Sequence, residues 1–238
     1  MSEASPYCGP APDWSDWYST WNFDPYLIVV MFGLGLTGAY ALRGEASNRK
    51  NAFGVASGAA VLAFISPLCA LTVALFAART LHHLLVFGVL APALAVAFPL
   101  RKVGVSASFI ALSAALWLWH LPQVYSAAWD SAAIYWAMQA ALILPAWAFW
   151  SVVLGRSKLD HVIWLIPLIG QMGLLGAVLT FAQRPFYLEH LAYAERFGLS
   201  ALADQQLAGL IMWVPGMIPV AVLATIMAHR ILRRDMRI

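Results

Sequence analysis

The residues of this chain best suited to chemistry are histidines that stand beside long apolar runs. The stretch "ALFAARTLHHLLVFGVLAPALAV", residues 74–96, carries Arg79, His82 and His83 near the start of such a run. His120 lies near the end of another run, in "ALWLWHLPQVY". Ionisable side chains are costly in hydrocarbon and mark functional sites by default. Because imidazole binds copper, zinc and iron, the first hypothesis is a metal site.

Polar residues also open the last apolar run, "LADQQLAGLIMW". Asp204, Ala208 and Met212 are spaced i, i+4 and i+8, so they share one face of a helix. Met212 then lies about 12 Å deeper than Asp204. Thioether sulfur suits copper(I), which favours copper among the metals. The predicted metal ligands are His83, His120, Asp204, His82 and Met212.

Several alternatives remain open for these residues. Adjacent helical residues point about 100° apart, so His82 and His83 cannot both face one small site. Two histidines on facing helices could instead be the axial ligands of a b-type haem, or could simply form hydrogen bonds. Asp204 also fits the N-cap of its own helix. Arg79 is expected to pair with a carboxylate, either Asp204 or Asp130.

The composition places these residues in a membrane protein. Of the 238 residues, 62% are hydrophobic and 11% are charged, whereas a soluble domain carries about 25% charged residues. Seven stretches without Asp, Glu, Lys or Arg are long enough to span a bilayer. The sequence therefore predicts an all-α, polytopic bundle of seven transmembrane helices. The stretches lie within residues 26–42, 51–78, 80–100, 103–129, 131–155, 161–183 and 205–229.

The basic residues predict the orientation. With the N-terminus outside, the inner connections and the tail hold 11 of the 14 Lys and Arg residues, as the positive-inside rule requires. We predict an extracytoplasmic segment 1–25, a membrane domain 26–229 and a basic cytoplasmic tail 230–238. His83, His120 and Asp204 then lie in the outer half of the membrane. His190 falls in the longest outer loop, with no obvious partner within the membrane.

Other classes of protein find little support. The formal charge of +3 comes from short basic loops and does not suggest a nucleic-acid partner. We find no phosphate-binding glycine loop, nucleophile elbow or zinc-protease motif, so no enzyme is predicted. Cys8 and Cys69 give no readable disulfide framework, since Cys69 lies inside an apolar run.

The chain resembles the CtaG-like, membrane-integral cytochrome c oxidase assembly factors. The resemblance follows the family's order along nearly the whole chain, and its most specific segments are "WLWHLP" and "DQQLAGLIMWVPG". The other resembling segments are "WNFDPYL", "ISPLCAL", "LHHLLVFGVLAPAL" and "LLGAVLTFAQRPFY". The resemblance implies a protein of the bacterial inner membrane that assists the copper-loading step of haem-copper oxidases. Its implied partners are oxidase subunits and a copper donor protein, within a lipid environment.

The resemblance also maps onto the candidate ligands. His83 and His120 match family histidines, and Asp204 and Met212 match the motif of the last helix. Arg79 stands where the family usually has a histidine, one helical turn before His83, and its positive charge opposes cation binding. A membrane redox protein with a bis-histidine haem and a metal-free scaffold for oxidase subunits remain the alternative functions.

Overall fold

The computed structural model describes residues 6–155 and 159–235. Over this part of the chain 79% of the residues are helical and no strand occurs. Three short 3₁₀ turns, at Trp17–Ser19, Leu188–His190 and Ala194–Phe197, accompany the α-helices. The helices are α1 Pro25–Ala41, α2 Ser47–Phe64, α3 Pro67–Ala74, α4 Phe76–Ala97, α5 Val105–Trp119, α6 Pro122–Asp130, α7 Ala132–Gly155, α8 Asp160–Thr180 and α9 Ala201–Asp235.

The all-helical architecture is confirmed. The described helices provide four to six candidate membrane spans, fewer than the seven that were predicted. Four described helices, α4, α7, α8 and α9, are long and apolar enough to cross a bilayer, and two bent pairs raise this number to six. The apolar helix α1 is shorter, with 17 residues. The seven-helix count and the N-out orientation stay predictions. Of the basic residues behind that orientation, Arg156, Lys158 and Arg237 lie outside the described residues.

Two predicted spans are bent. The stretch 51–78 contains α2, α3 and the start of α4, with an angle of 44° between α2 and α3. Ser66 accepts a hydrogen bond from Leu68 N and Pro67 takes the first helical position, so a new helix begins there. The stretch 103–129 bends by 81° between α5 and α6. Leu121 is extended, as the residue before a proline prefers, and Pro122 opens α6.

The packing of the helices leaves a gap at the candidate site. Helix α9 packs along α8 and α4, and α7 packs against both α5 and the second half of α4. Helices α4 and α5 were expected to be direct neighbours because a short loop joins them, yet each packs chiefly on other helices. A small cavity lies between their outer ends, where "outer" denotes the end of the bundle that carries the N-terminal segment.

The N-terminal segment is tied to the outer end of the bundle. Cys8 and Cys69 form a disulfide across 61 residues of sequence, which corrects the expectation that no disulfide could be read. Apolar burial of Cys69 does not prevent pairing, because residues 6–24 fold back over α3. Tyr7 packs on Tyr135 and donates a hydrogen bond to Asp24 at 2.7 Å. The bond holds this segment against the first turn of α3.

Candidate metal site

The helix that carries His83 begins in an unusual way. Leu75 is extended and gives α4 no side-chain cap of its own. The carboxylate of Asp204, on α9, accepts hydrogen bonds from Phe76 N at 2.6 Å and Ala77 N at 3.0 Å. Asp204 is fully buried. Asp204 therefore caps α4. It does not cap its own helix and does not pair with Arg79, which were the two alternatives predicted from the sequence.

A π-helical turn follows the histidines. Residues Val86–Leu90 form this turn, in which Ala91 N donates to Val86 O. The carbonyl of Phe87 has no helical donor, since Ala91 N is diverted and Pro92 has no N–H. The indole of Trp150 satisfies it with a hydrogen bond of 2.9 Å. This turn thereby fixes α4 against α7 just past His83.

One cavity of about 60 Å³ collects three of the five predicted ligands. His83 from α4, His120 from the end of α5 and Met212 from α9 all line it. His83 Nε2 is buried and has no hydrogen-bond partner among the described residues. Most of the other lining residues are apolar. Gln171 and Trp119 each contribute a buried N–H group that has no partner within residues 6–155 and 159–235.

His120 is held in a defined orientation. Its Nδ1 lies 2.6 Å from Leu116 O, one turn earlier. Because a carbonyl only accepts, Nδ1 carries the proton and the lone pair of Nε2 remains available to a metal. Tyr187 donates a hydrogen bond of 2.9 Å to the backbone carbonyl of His120. The 81° bend after this residue places it at the corner of the cavity.

His82 and Asp204 do not line this cavity. The ring of His82 packs edge-on against Phe64 of α2 at 5.3 Å, on a different side of α4 from His83. The 100° offset between neighbouring helical residues requires this separation. The polar residues Asp130 and Gln183 are exposed. Of the five predicted ligands, His83, His120 and Met212 thus line one cavity, whereas His82 and Asp204 lie outside it.

Arg79 is buried without a carboxylate partner among the described residues. Its side chain is 4% exposed, and its guanidinium lies 4.7 Å from the ring centre of Tyr125 and 5.7 Å from that of Trp129. Its Nε donates to Thr72 O at 3.3 Å. The expected pairing with Asp204 or Asp130 is wrong, because aromatic faces compensate the charge instead.

His190 is a buried residue that the sequence did not single out. The outer loop folds back so that the ring is 1% exposed, with Nε2 2.6 Å from the hydroxyl of Tyr125. Burial, followed by the charge of Arg79, lowers the pKa of His190 to about 3. The sequence suggested no partner for His190 within the predicted spans, whereas Tyr125, from the stretch 103–129, is one. No local sequence pattern reveals the contact, since the two residues are 65 positions apart.

The lowered pKa of His190 predicts that the free energy of unfolding decreases as the pH is lowered. Between pH 6.5 and about 3 the unfolded chain binds a proton that the folded chain excludes. Stability is full above pH 6.5 and should decline by up to about 1.4 kcal/mol per pH unit below it. Thermal unfolding in detergent from pH 7.5 to 5 should show this loss, and His190→Gln should flatten the profile. Identical profiles for the two proteins would contradict the assignment.

The size and donors of the cavity limit what it can hold. Among the described residues no group of three or more His, Cys, Asp or Glu side chains is arranged to hold a metal ion. The two histidines would therefore need other donors, such as thioethers, to complete a site. A cavity of about 60 Å³ holds an ion or a few water molecules. It does not accommodate a porphyrin unless the helices separate, so the geometry does not favour the haem alternative.

Comparison with protein-family models gives a match. The model of the cytochrome c oxidase caa3 assembly factor family matches residues 106–234. The matched part covers more than half of the chain and contains His120, Asp204 and Met212, while His82 and His83 precede it. No curated protein and no solved structure gives a significant match. The chain belongs to the cytochrome c oxidase caa3 assembly factor family.

Proposed function

We propose that this protein assists oxidase assembly by holding copper between His83 and His120, on the extracytoplasmic side of the membrane. The observation that carries the proposal is the shared cavity, in which a buried, unpartnered imidazole nitrogen of α4 faces the end of α5. Family membership establishes the assembly role in general terms. In this role copper is cargo destined for the oxidase.

The donor chemistry fits such a cargo. Neutral imidazoles are good copper ligands, and the hydrogen bond from His120 Nδ1 to Leu116 O leaves Nε2 free for coordination. Met212 adds a soft thioether to the same cavity. His82 and Asp204 would act indirectly. His82 packs behind His83, and Asp204 fixes the start of the helix that carries both histidines.

The membrane setting is part of the proposal. We take the bundle to have seven spans with the N-terminus outside. The disulfide, which is typical of an oxidising compartment, and the bias of the basic residues support this orientation. In a bacterial inner membrane this orientation puts the cavity in the outer half of the bilayer. There the protein could receive copper from a donor protein and reach oxidase subunits laterally.

Copper binding by histidine variants tests the proposal. Protein purified in detergent and loaded with copper(I) under reducing, oxygen-free conditions should retain copper after desalting. His83→Ala and His120→Ala should each lose it, because the remaining donors are too few. His229→Ala serves as the control, since this histidine is exposed near the far end of α9. Metal content measured by mass spectrometry gives the readout.

The same variants separate copper handling from scaffolding. In cells that lack the wild-type protein, oxidase activity should fall with His83→Ala and be kept with His229→Ala, at equal protein levels. Normal copper content and normal oxidase activity in both cavity variants would refute the proposed site. Lost copper with normal oxidase activity would leave a scaffold role as the explanation.

A further inference from the structure

A second methionine, Met172 of α8, lines the cavity together with Met212 of α9. Both side chains are 5% exposed. Met172 is not one of the ligands expected from the sequence. With His83 and His120, the cavity is thus lined by two imidazole and two thioether side chains, each supplied by a different helix.

The two methionines lie on the same side of the point where α8 and α9 cross. Gly176 and Gly209 meet at the crossing: a Cβ at Gly209 would lie 2.6 Å from Gly176 O, and one at Gly176 would lie 2.9 Å from Gly209 O. Met172 precedes Gly176 by four residues, and Met212 follows Gly209 by three. In an antiparallel pair these offsets run in the same direction. Both methionines therefore lie on the same side of the crossing.

The absence of charge on the candidate ligands favours a monovalent over a divalent metal ion. Thioether and neutral imidazole ligands carry no charge, and neither an acidic side chain nor a cysteine lines the cavity. The charge of a bound ion would thus remain uncompensated in a mostly apolar environment. The cost of burying an ion rises with the square of its charge, which disfavours a divalent ion relative to a monovalent one. Thioether sulfur has the same preference, since it selects copper(I).

We infer that Met172 and Met212 are ligands that make the cavity selective for copper(I) over divalent metals. This inference rests on the proposed function, because it assumes that His83 and His120 hold copper. It assigns α8 and α9 a direct part in the site, in addition to supporting it.

The test uses Met172→Leu, Met212→Leu and their combination, with Met227→Leu as the control. Met227 is buried on α9 and does not line the cavity. Leucine preserves volume and removes the sulfur. Copper(I) affinity is measured by competition with a chromophoric copper(I) chelator, zinc(II) affinity is measured in parallel, and thermal unfolding confirms that each variant folds. X-ray absorption of the copper(I)-loaded wild type reports sulfur ligands without any substitution.

We expect each cavity variant to lose at least about tenfold in copper(I) affinity, with little change for zinc(II) or for Met227→Leu. The absorption spectrum of the wild type should contain a copper–sulfur contribution that is absent from the double variant. Wild-type affinity in Met172→Leu, or a wild-type spectrum with nitrogen and oxygen ligands only, would overturn the inference. If copper binding still required His83 and His120, the proposed function would stand. A wild type that binds no copper would overturn both.

Discussion

Replacing Asp204 with alanine is expected to destabilise the protein strongly. The substitution leaves Phe76 N and Ala77 N at the start of α4 without acceptors, in a place where both residues are buried. Two buried donors at about 1–3 kcal/mol each predict a loss of about 2–6 kcal/mol. Favourable interaction between a carboxylate and the positive end of the α4 dipole is lost as well. The measurement is thermal unfolding in detergent at neutral pH.

Two further variants make this prediction specific. Asp204→Asn keeps one acceptor oxygen and should lose about half as much stability. Asp130→Ala removes an exposed carboxylate and should unfold like the wild type. Because Asp204 fixes the helix that carries His83, copper affinity should decline in the order wild type, Asp204→Asn, Asp204→Ala. An unfolding midpoint for Asp204→Ala equal to that of the wild type would show that α4 does not depend on this cap.

Replacing Gly209 with alanine is the second change with a large expected effect. The added Cβ would lie 2.5 Å from Thr180 Oγ1 and 2.6 Å from Gly176 O, so the backbones of α8 and α9 must move apart. Overpacking of this kind costs about 1–3 kcal/mol, and close contact at small residues is a main source of helix association in membranes. We expect a lower unfolding midpoint together with weaker copper(I) binding, since the positions of Met172 and Met212 relative to each other would change.

A matched glycine controls for helix propensity. Gly170 lies on α8, and a Cβ built there meets nothing within 4 Å. Alanine is a better helix former than glycine, so Gly170→Ala should leave stability unchanged or raise it slightly. If Gly209→Ala behaved like Gly170→Ala in both assays, the crossing would not set the geometry of the cavity.

Local patterns predicted a good part of this molecule. Long runs without Asp, Glu, Lys or Arg mark the helices, because a backbone in lipid must form its hydrogen bonds internally and a helix does so. The meeting of His83 and His120 also followed from the positions of these residues at the outer ends of two runs. Pro67, in "SP" at residues 66–67, predicts a local kink in its run, and the bend between α2 and α3 confirms it. The break at "LP", residues 121–122, was missed, although a proline is a signal of a helix start. Hydropathy alone averages across such breaks, since the residues on both sides are apolar.

Contacts between distant segments could not be predicted. Asp204 bonds to a residue 128 positions earlier, and Cys8 pairs with Cys69 only because the N-terminal segment folds back. Charge suggested that Arg79 needs a carboxylate, whereas two aromatic rings surround it. Met172 lies in an apolar run where methionine is an ordinary packing residue, and only the tertiary structure shows that it lines the cavity.

The dependence of α4 on Asp204 has a consequence for biosynthesis. Translation delivers α4 to the membrane well before α9, so the histidine helix waits with an incomplete N-terminus until the last helix has been inserted. A chain that stops before residue 204 lacks this cap as well as Met212. Only a chain that extends beyond Met212 can therefore form the complete cavity, so the proposed copper site would arise at the last step of membrane insertion.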